Sequence, residues 1–483
     1  MKSMRMSIAV VLAGAAPAFA QYSLVFEDEF EGAVIDTLVW EHQIGDGTGY
    51  GLPAGWGNNE LQYYTPYTYN SYVQNGLLHI VARDLPIEGY AYSSARLRTQ
   101  GAFEFRYGRV EARIKVPKGQ GLWAAFWMLP TNSPYGEWAA SGEIDIIETV
   151  NQATSAHGTI HHGGNWPNNV QHSGSLSGTD FSQDFHVYAT EWTPDWIRWF
   201  VDGQEYYSVS SSTWYSTAAP TNPRAPFDTP FHLLLNLAVG GNWPGDPNGS
   251  TAFPADLQVD WVRVYRVEQQ AFGGQPAPVP GRIEAEDFDV GYPGEAYQDC
   301  DAGNNGSSYR SDVDVDIQPC SEGGYNVGWL CQGEWLEYAV EVAHAGTHDL
   351  SVRVASNTTG GTIGFEIDGL PVSGTLTVPV TGGWQNWTTI SGWADLPAGE
   401  HVMRLANRSG SSQAFNINYF ELTGRNCNQA DFAGPFGTLD FFDVQAFLAA
   451  FAAQASGADL TGEGEFNFFD VQEFLAAFAA GCP

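Results

Sequence analysis

Between residue 21 and about residue 268 the chain is written in short runs of alternating polarity, such as GRVEARIKV at 108–116 and WIRWFV at 196–201, parted by clusters of Gly, Pro and Asn. Alternation with a period of two buries one face of a strand and wets the other, and no stretch here repeats with the helical period. A chain patterned this way closes a core by stacking antiparallel sheets, so the expected architecture is an all-β sandwich.

Residues 269–280 (QQAFGGQPAPVP) are rich in Gly, Pro and Gln and read as a linker. A second β-rich unit without helical pattern follows at 281–424. The remainder, 425–483, changes character: FFDVQAFLAAFAA at 441–453 returns at 468–480 with only Ala446 replaced, by Glu473, an internal duplication. Each copy sets Val444, Phe447, Leu448 and Phe451, or Val471, Phe474, Leu475 and Phe478, at helical spacing, which predicts two short amphipathic helices packed together. A Cys427–Cys482 bond would staple a unit too small to hold itself together comfortably.

The 20 Lys and Arg against 55 Asp and Glu leave a formal net charge of −35. Such a balance repels nucleic-acid phosphates and anionic membranes and favours neutral partners and cations. Aromatic residues make up 14% of the chain; large β-cores account for part of them, and flat rings with polar edges are also what sugar faces stack on. Lys2 and Arg5 precede an apolar run from Ile8 to Ala18 and the small-x-small sequence Ala18-Phe19-Ala20, the form of a secretory signal over residues 1–20 whose removal leaves Gln21 first. The product is therefore expected outside the cell or on its surface. No later stretch is apolar over the ~20 residues that span a bilayer. The cysteines, Cys300, Cys320, Cys331, Cys427 and Cys482, all lie in the C-terminal part and are disulfide candidates in an exported protein, with one left over.

The chemistry concentrates in SGEIDIIE at 141–148. On a regular strand Glu143 and Asp145 share a face and Glu148 points away. One extra residue in a β-bulge at Ile146-Ile147 restores the parity and sets all three acids on one side. Three carboxylates packed together are unfavourable unless one keeps its proton at neutral pH, and a split of that kind is what an acid/nucleophile pair needs. A retaining glycosidase works with its two carboxyl groups ~5 Å apart, so the strand must also bend.

The acids stand among GWGNNELQYYT (55–65), GQGLWAAFWML (119–129), GTIHHGG (158–164), FHVYATEW (185–192), FHLLLNLAVGGNWPG (231–245) and VDWVRVY (259–265). In this order the motifs resemble glycoside hydrolase family 16 over nearly all of residues 22–267. The resemblance implies a β-jelly roll with a substrate cleft across its concave sheet and retaining chemistry with no cofactor, with Glu143 as nucleophile, Asp145 as electrostatic helper and Glu148 as acid/base. The bulged E-x-D-x-x-E form is similar to the laminarinase branch, endo-β-1,3-glucanases, where lichenases carry E-x-D-x-E. Trp123, Trp127 and Trp138 are sugar-stacking candidates, Trp138 foremost; Asn58, Glu60 and Arg96 resemble positions that bond glucose hydroxyls, and His162 is expected beside the acid/base. Glu29 and Asp260 resemble positions that share a structural Ca²⁺.

RIEAED (282–287), GGYNVGW (323–329), GEWLEY (333–338), GGWQNW (382–387) and FNINY (415–419) resemble carbohydrate-binding module family 6. This implies a second jelly roll that holds glycan between aromatic rings, with Trp329, Trp384 or Trp387, and Asn418 as its contacts and Glu284 and Glu286 as calcium ligands. Cys320 and Cys331 are the expected pair there, leaving Cys300 over. A second glycan site raises effective concentration on a polymer without altering the chemistry. The duplicated tail resembles a dockerin-like pair of EF-hand loops. Asp459, Thr461, Glu463, Asn467 and Asp470 fall at loop positions 1, 3, 5, 9 and 12 with Gly464 at 6. In the first copy Asp431 to Asp443 is one residue too long, and Ala433 and Pro435 offer no side-chain oxygen, so one calcium is expected there rather than two.

The leading expectation is an enzyme acting on β-1,3-glucan, and on mixed-linkage glucan as well, with a cell-surface or scaffold partner for the tail. The alternatives are an agarase or other galactan hydrolase of the same family, and a glucan-binding protein without catalysis. The intact acids argue against the last.

Overall fold

The computed structural model describes residues 22–481 except 302, 307–308, 312, 410–413, 425–427 and 434–437. The signal segment, the Cys427–Cys482 bond and Pro435 thus lie outside the described residues. The chain forms two compact units that divide between Glu268 and Gln269.

The first unit is two antiparallel sheets face to face. One runs, in spatial order, through Asn169–Ser177, Ser155–Gly163, Glu143–Val150, Leu122–Pro130, Phe231–Val239, Arg96–Arg98 and Glu41–His42. The other runs through Gln204–Ser210, Trp196–Val201, His186–Trp192, Gly108–Lys115, Ala255–Val267, Leu77–Ala82 and Ser71–Gln74, with Tyr22–Asp28 paired to Ala255–Val267. Their inner faces bury Ile144, Ile160, Leu233, Leu235, Val110, Ala112, Val262, Tyr188, Trp192 and Trp199, the apolar positions of the alternating runs. Gly158 admits no side chain, because a Cβ there would stand 2.3 Å from the Trp199 ring.

The second unit holds another sandwich. Its sheets carry Ala277–Val279, Trp335–Val342, Gly399–Asn407, Gly361–Ile367 and Leu370–Pro371 on one side, and Ile317–Pro319, Tyr325–Val327, Asn416–Gly424, Gly346–Ala355 and Thr388–Leu396 on the other. The stretch read as a linker is built into this unit: Ala277–Val279 pairs in parallel with Trp335–Val342, and Gln270 bridges Val290. The disulfide joins Cys300 to Cys331, with Cα atoms 6.3 Å apart, and not Cys320 to Cys331. The reason is local. Buried Glu334 accepts from the backbone N–H groups of both Cys300 and Cys331, at 3.1 and 2.9 Å, which holds the two loops side by side, while Cys320 is buried in its own turn as a free thiol.

The duplicated tail forms helices Phe441–Ala452 and Phe468–Ala480. Each opens on a capping box, Asp440 with Asp443 and Asn467 with Asp470. Phe447 and Phe474 stack at 4.1 Å in the small core, whereas Leu448 and Leu475 face solvent. Among the described residues no helix is long and apolar enough to cross a membrane.

Candidate active site

The acid strand Glu143–Val150 shows the bulge that its parity requires. Against Leu122–Pro130, Asp145 pairs with Trp127 but Ile147, not Ile146, pairs with Phe126; against Ser155–Gly163 the register also shifts between Asp145 and Glu148. Glu148 consequently returns to the face that carries Glu143 and Asp145, and Ile144, Ile146 and Ile147 are all buried. The main-chain oxygen of Asp145, at the start of the bulge, accepts the indole N–H of Trp199 at 2.7 Å.

Each outer acid is held by an indole. Trp138 donates Nε1–H to Oε2 of Glu143 at 2.8 Å, and Trp123 donates to Oε1 of Glu148 at 2.9 Å. Both rings keep partly exposed faces, the amphipathic arrangement that suits a sugar. His161, across the ladder from Glu143, sets Nε2 at 3.4 Å from Asp145 Oδ2 and 3.7 Å from Glu143 Oε1. It is this histidine, and not His162, that stands with the acids. His162 alternates to the opposite face, is fully buried, and stacks on His172 beside Tyr215.

Burial pushes the carboxyl groups of Glu143, Asp145 and Glu148 all up to about 8, and the charge of Asp145 acts in the same direction on both glutamates, against His161 and the two indole donors. Groups this close titrate as a set. At neutral pH the set retains protons, which is the condition for one carboxyl to give a proton while another attacks.

On the side of the shorter strands, Arg96 lies between two indoles, 4.4 Å from the Trp56 ring and 4.7 Å from the Trp127 ring, and donates Nε–H to Gln43 at 2.6 Å. Glu60 is buried and raised by that burial; it accepts from Gln62, Asn58 and Tyr64 at 2.7, 3.3 and 3.4 Å. Tyr64 accepts from Asn236, which in turn accepts from Trp127 at 2.8 Å. Asn58, Glu60, Arg96 and Trp127 thus belong to one network. Sequence reasoning missed Trp56, Gln43 and Asn236; the signal for Asn236 was a polar residue within the apolar run LLLNLAV. Trp243, 42% exposed, stands edge-on to both Trp123 and His157 on the far flank of Glu148.

Of the two residues expected to share a calcium, Asp260 accepts from Arg113 at 2.5 Å and Glu29 pairs with Arg263 at 2.8 Å.

In the second unit Trp329 and Trp384 line a cleft together with Gln318 and Asn416, whose Nδ2 donates to the Trp384 oxygen at 2.8 Å. Trp387 bonds Ser321, and Asn418 lies elsewhere, donating to Glu322 at 3.3 Å. Glu284 is paired to Arg282, while buried Glu286 accepts from Tyr325 N–H through one oxygen and has no hydrogen-bond partner for the other, which fits a cation ligand. In the tail Asp459 accepts the N–H groups of Gly462, Glu463 and Gly464, and Asp470 accepts from Thr461 and Asn467. Glu463 is bonded to Asn467. The five expected oxygen donors are therefore gathered in one loop.

Residues 60–263 match the family described as "Glycosyl hydrolases family 16", and residues 305–424 match "Carbohydrate binding module (family 6)". "Glucan endo-1,3-beta-glucosidase A1" of Niallia circulans is 49% identical over 268 residues, 52% of this chain and 39% of that protein, so the chain spans well under half of that relative. "Beta-glucanase" of Rhodothermus marinus is 45% identical over 260 residues, 51% of this chain and 85% of that protein. The X-ray structure of an endo-beta-1,3-glucanase from Pyrococcus furiosus aligns with 42% identity over 51% of this chain and 95% of that one, with a TM-score of 0.45. With 85% of a relative covered at 45% identity, the chain belongs to glycoside hydrolase family 16.

Proposed function

We propose that this chain is a secreted, retaining endo-β-1,3-glucanase, a laminarinase that also cleaves mixed-linkage β-1,3-1,4-glucan. The observation that carries the reading is the bulged acid strand, with Glu143 and Glu148 on one face and each carboxyl oriented by its own indole N–H. Glu143 attacks the anomeric carbon and Glu148 protonates the leaving oxygen; water then releases the glycosyl-enzyme with Glu148 as base. Asp145, at hydrogen-bonding distance from Glu143, tunes the nucleophile's charge, and Asn58, Glu60, Arg96, Trp123, Trp127 and Trp138 bind the glucan. The second unit holds the same polymer at Trp329 and Trp384, and the tail binds one structural Ca²⁺ through Asp459, Thr461, Glu463, Asn467 and Asp470 and docks to a cell-surface or scaffold partner. Catalysis itself needs no cofactor. Release of reducing ends from laminarin, lichenan and agar, with the product anomer followed by NMR, tests the reading. Laminarin should be cleaved with net retention; cleavage of agar alone would identify a galactan hydrolase instead.

A further inference from the structure

The face that carries the acids has a property that glycoside cleavage does not use. Glu143 Oε1, Asp145 Oδ2 and His161 Nε2 all lie within 4.8 Å of one another, and His161 is 3.4 Å and 3.7 Å from the two oxygens. Zinc holds nitrogen and oxygen donors at ~2.0–2.2 Å, so neighbouring ligands of a tetrahedral ion stand roughly 3.3 Å apart. The spacing is close to that already. Asp145 is 2% exposed and its buried Oδ2 accepts no hydrogen bond, which leaves a carboxyl oxygen beside His161 open to a cation. Glu143 and His161 are each about one-seventh exposed, at 14% and 15%, so the gap can be reached from solvent.

We infer that Glu143, Asp145 and His161 form a binding site for a divalent transition ion of the zinc class, which silences the cleft while it is bound. The donor set selects the ion. Calcium and magnesium want six or more oxygens, whereas two carboxylates and one imidazole suit zinc and copper, with the fourth position left to water. Binding joins a dication to two buried carboxyls whose charges act against each other. It also occupies the Glu143 oxygen from which a nucleophile must act, so ion and substrate exclude each other.

The test uses the full chain in a calcium-containing buffer, so that oxygen-only sites are filled, titrated calorimetrically with zinc chloride. The parent should take up one equivalent of zinc more than His161→Gln, and laminarin oligosaccharide should block that equivalent. With laminarin as substrate, zinc should raise KM and leave kcat unchanged, EDTA should reverse the effect, and His161→Gln should weaken inhibition by roughly tenfold or more, the size of effect seen when a metal site's supporting group is removed. Should His161→Gln fail to melt cooperatively, Glu143→Gln, which keeps the imidazole, must lose the same equivalent. Equal zinc uptake by parent and both variants, or inhibition of kcat with KM untouched, overturns the site. Absence of activity on laminarin would count against the proposed function and leave the calorimetric result standing.

Discussion

Trp199 and Asp145 are joined across the sandwich by a 2.7 Å hydrogen bond from the indole to the main-chain oxygen at the start of the bulge. One sheet therefore fixes the strand of the other that carries the three acids. Trp199→Phe keeps an aromatic ring at this place, though a smaller one, and leaves that buried oxygen without its donor, at a cost of about 1–3 kcal/mol. The melting temperature should fall, and kcat with it, because the bulge that sets the acids on one face loses its anchor; a variant that melts lower with kcat intact would mean the bond serves stability only.

Burial raises the carboxyls of Glu143, Asp145 and Glu148 to about 8 from ordinary values near 4. The folded chain therefore binds more protons than the unfolded chain between those limits, and stability falls as pH rises through the window. Glu143→Gln removes one of the charges. Its melting temperature should exceed the parent's at pH 8–9, by roughly 2–4 °C for each kcal/mol relieved, and the gain should vanish below about pH 5. A gain independent of pH in scanning calorimetry would refute this origin.

Arg96 fills the slot between Trp56 and Trp127 with a flat guanidinium. Lysine carries the charge but neither stacks nor forks, so Arg96→Lys should lower kcat/KM by roughly tenfold, the equivalent of ~1–2 kcal/mol of lost cation–π contact. Steady-state kinetics on laminarin decide; unchanged kinetics would place Arg96 outside the sugar path.

In the second unit the cleft belongs to Asn416, not Asn418. Asn416→Ala should weaken retention on laminarin in affinity electrophoresis and Asn418→Ala should not, with hydrolysis of short soluble substrates the same in both.

Peptide mapping without reduction should recover Cys300 linked to Cys331, with Cys320 alkylated only after unfolding. Cys331→Ser should destabilise this unit by about 2–4 kcal/mol, read as a lower transition in calorimetry. Recovery of a Cys320 to Cys331 peptide would reverse the assignment.

The bulge was legible because parity is arithmetic on the sequence alone: Glu143 and Glu148 cannot share a face of a regular strand. The sandwich was legible for the same reason. What the sequence withheld is register between strands. His161 and His162 are equivalent in the chain and differ only in which one lies across the ladder from Glu143. Asn416 lines the cleft where Asn418 is expected, on a strand, Asn416–Gly424, that carries its own irregularity opposite Arg353 and Val354. Nothing in the order of residues shows that Arg263 and Arg113 come to stand beside Glu29 and Asp260, where strand pairing brings them. The cysteine pairing turned on Glu334, a residue with no mark in the sequence to distinguish it.

The irregularity at Ile146-Ile147 has an implication for how such sites change over time. Remove one of those isoleucines and the three acids become alternate residues of a plain strand, still on one side; restore it and the strand kinks to keep them there. A single-codon gain or loss at this point therefore connects two workable spacings, whereas the same event between Glu143 and Asp145 turns one acid into the core. Descent along this strand is free at one position and blocked beside it.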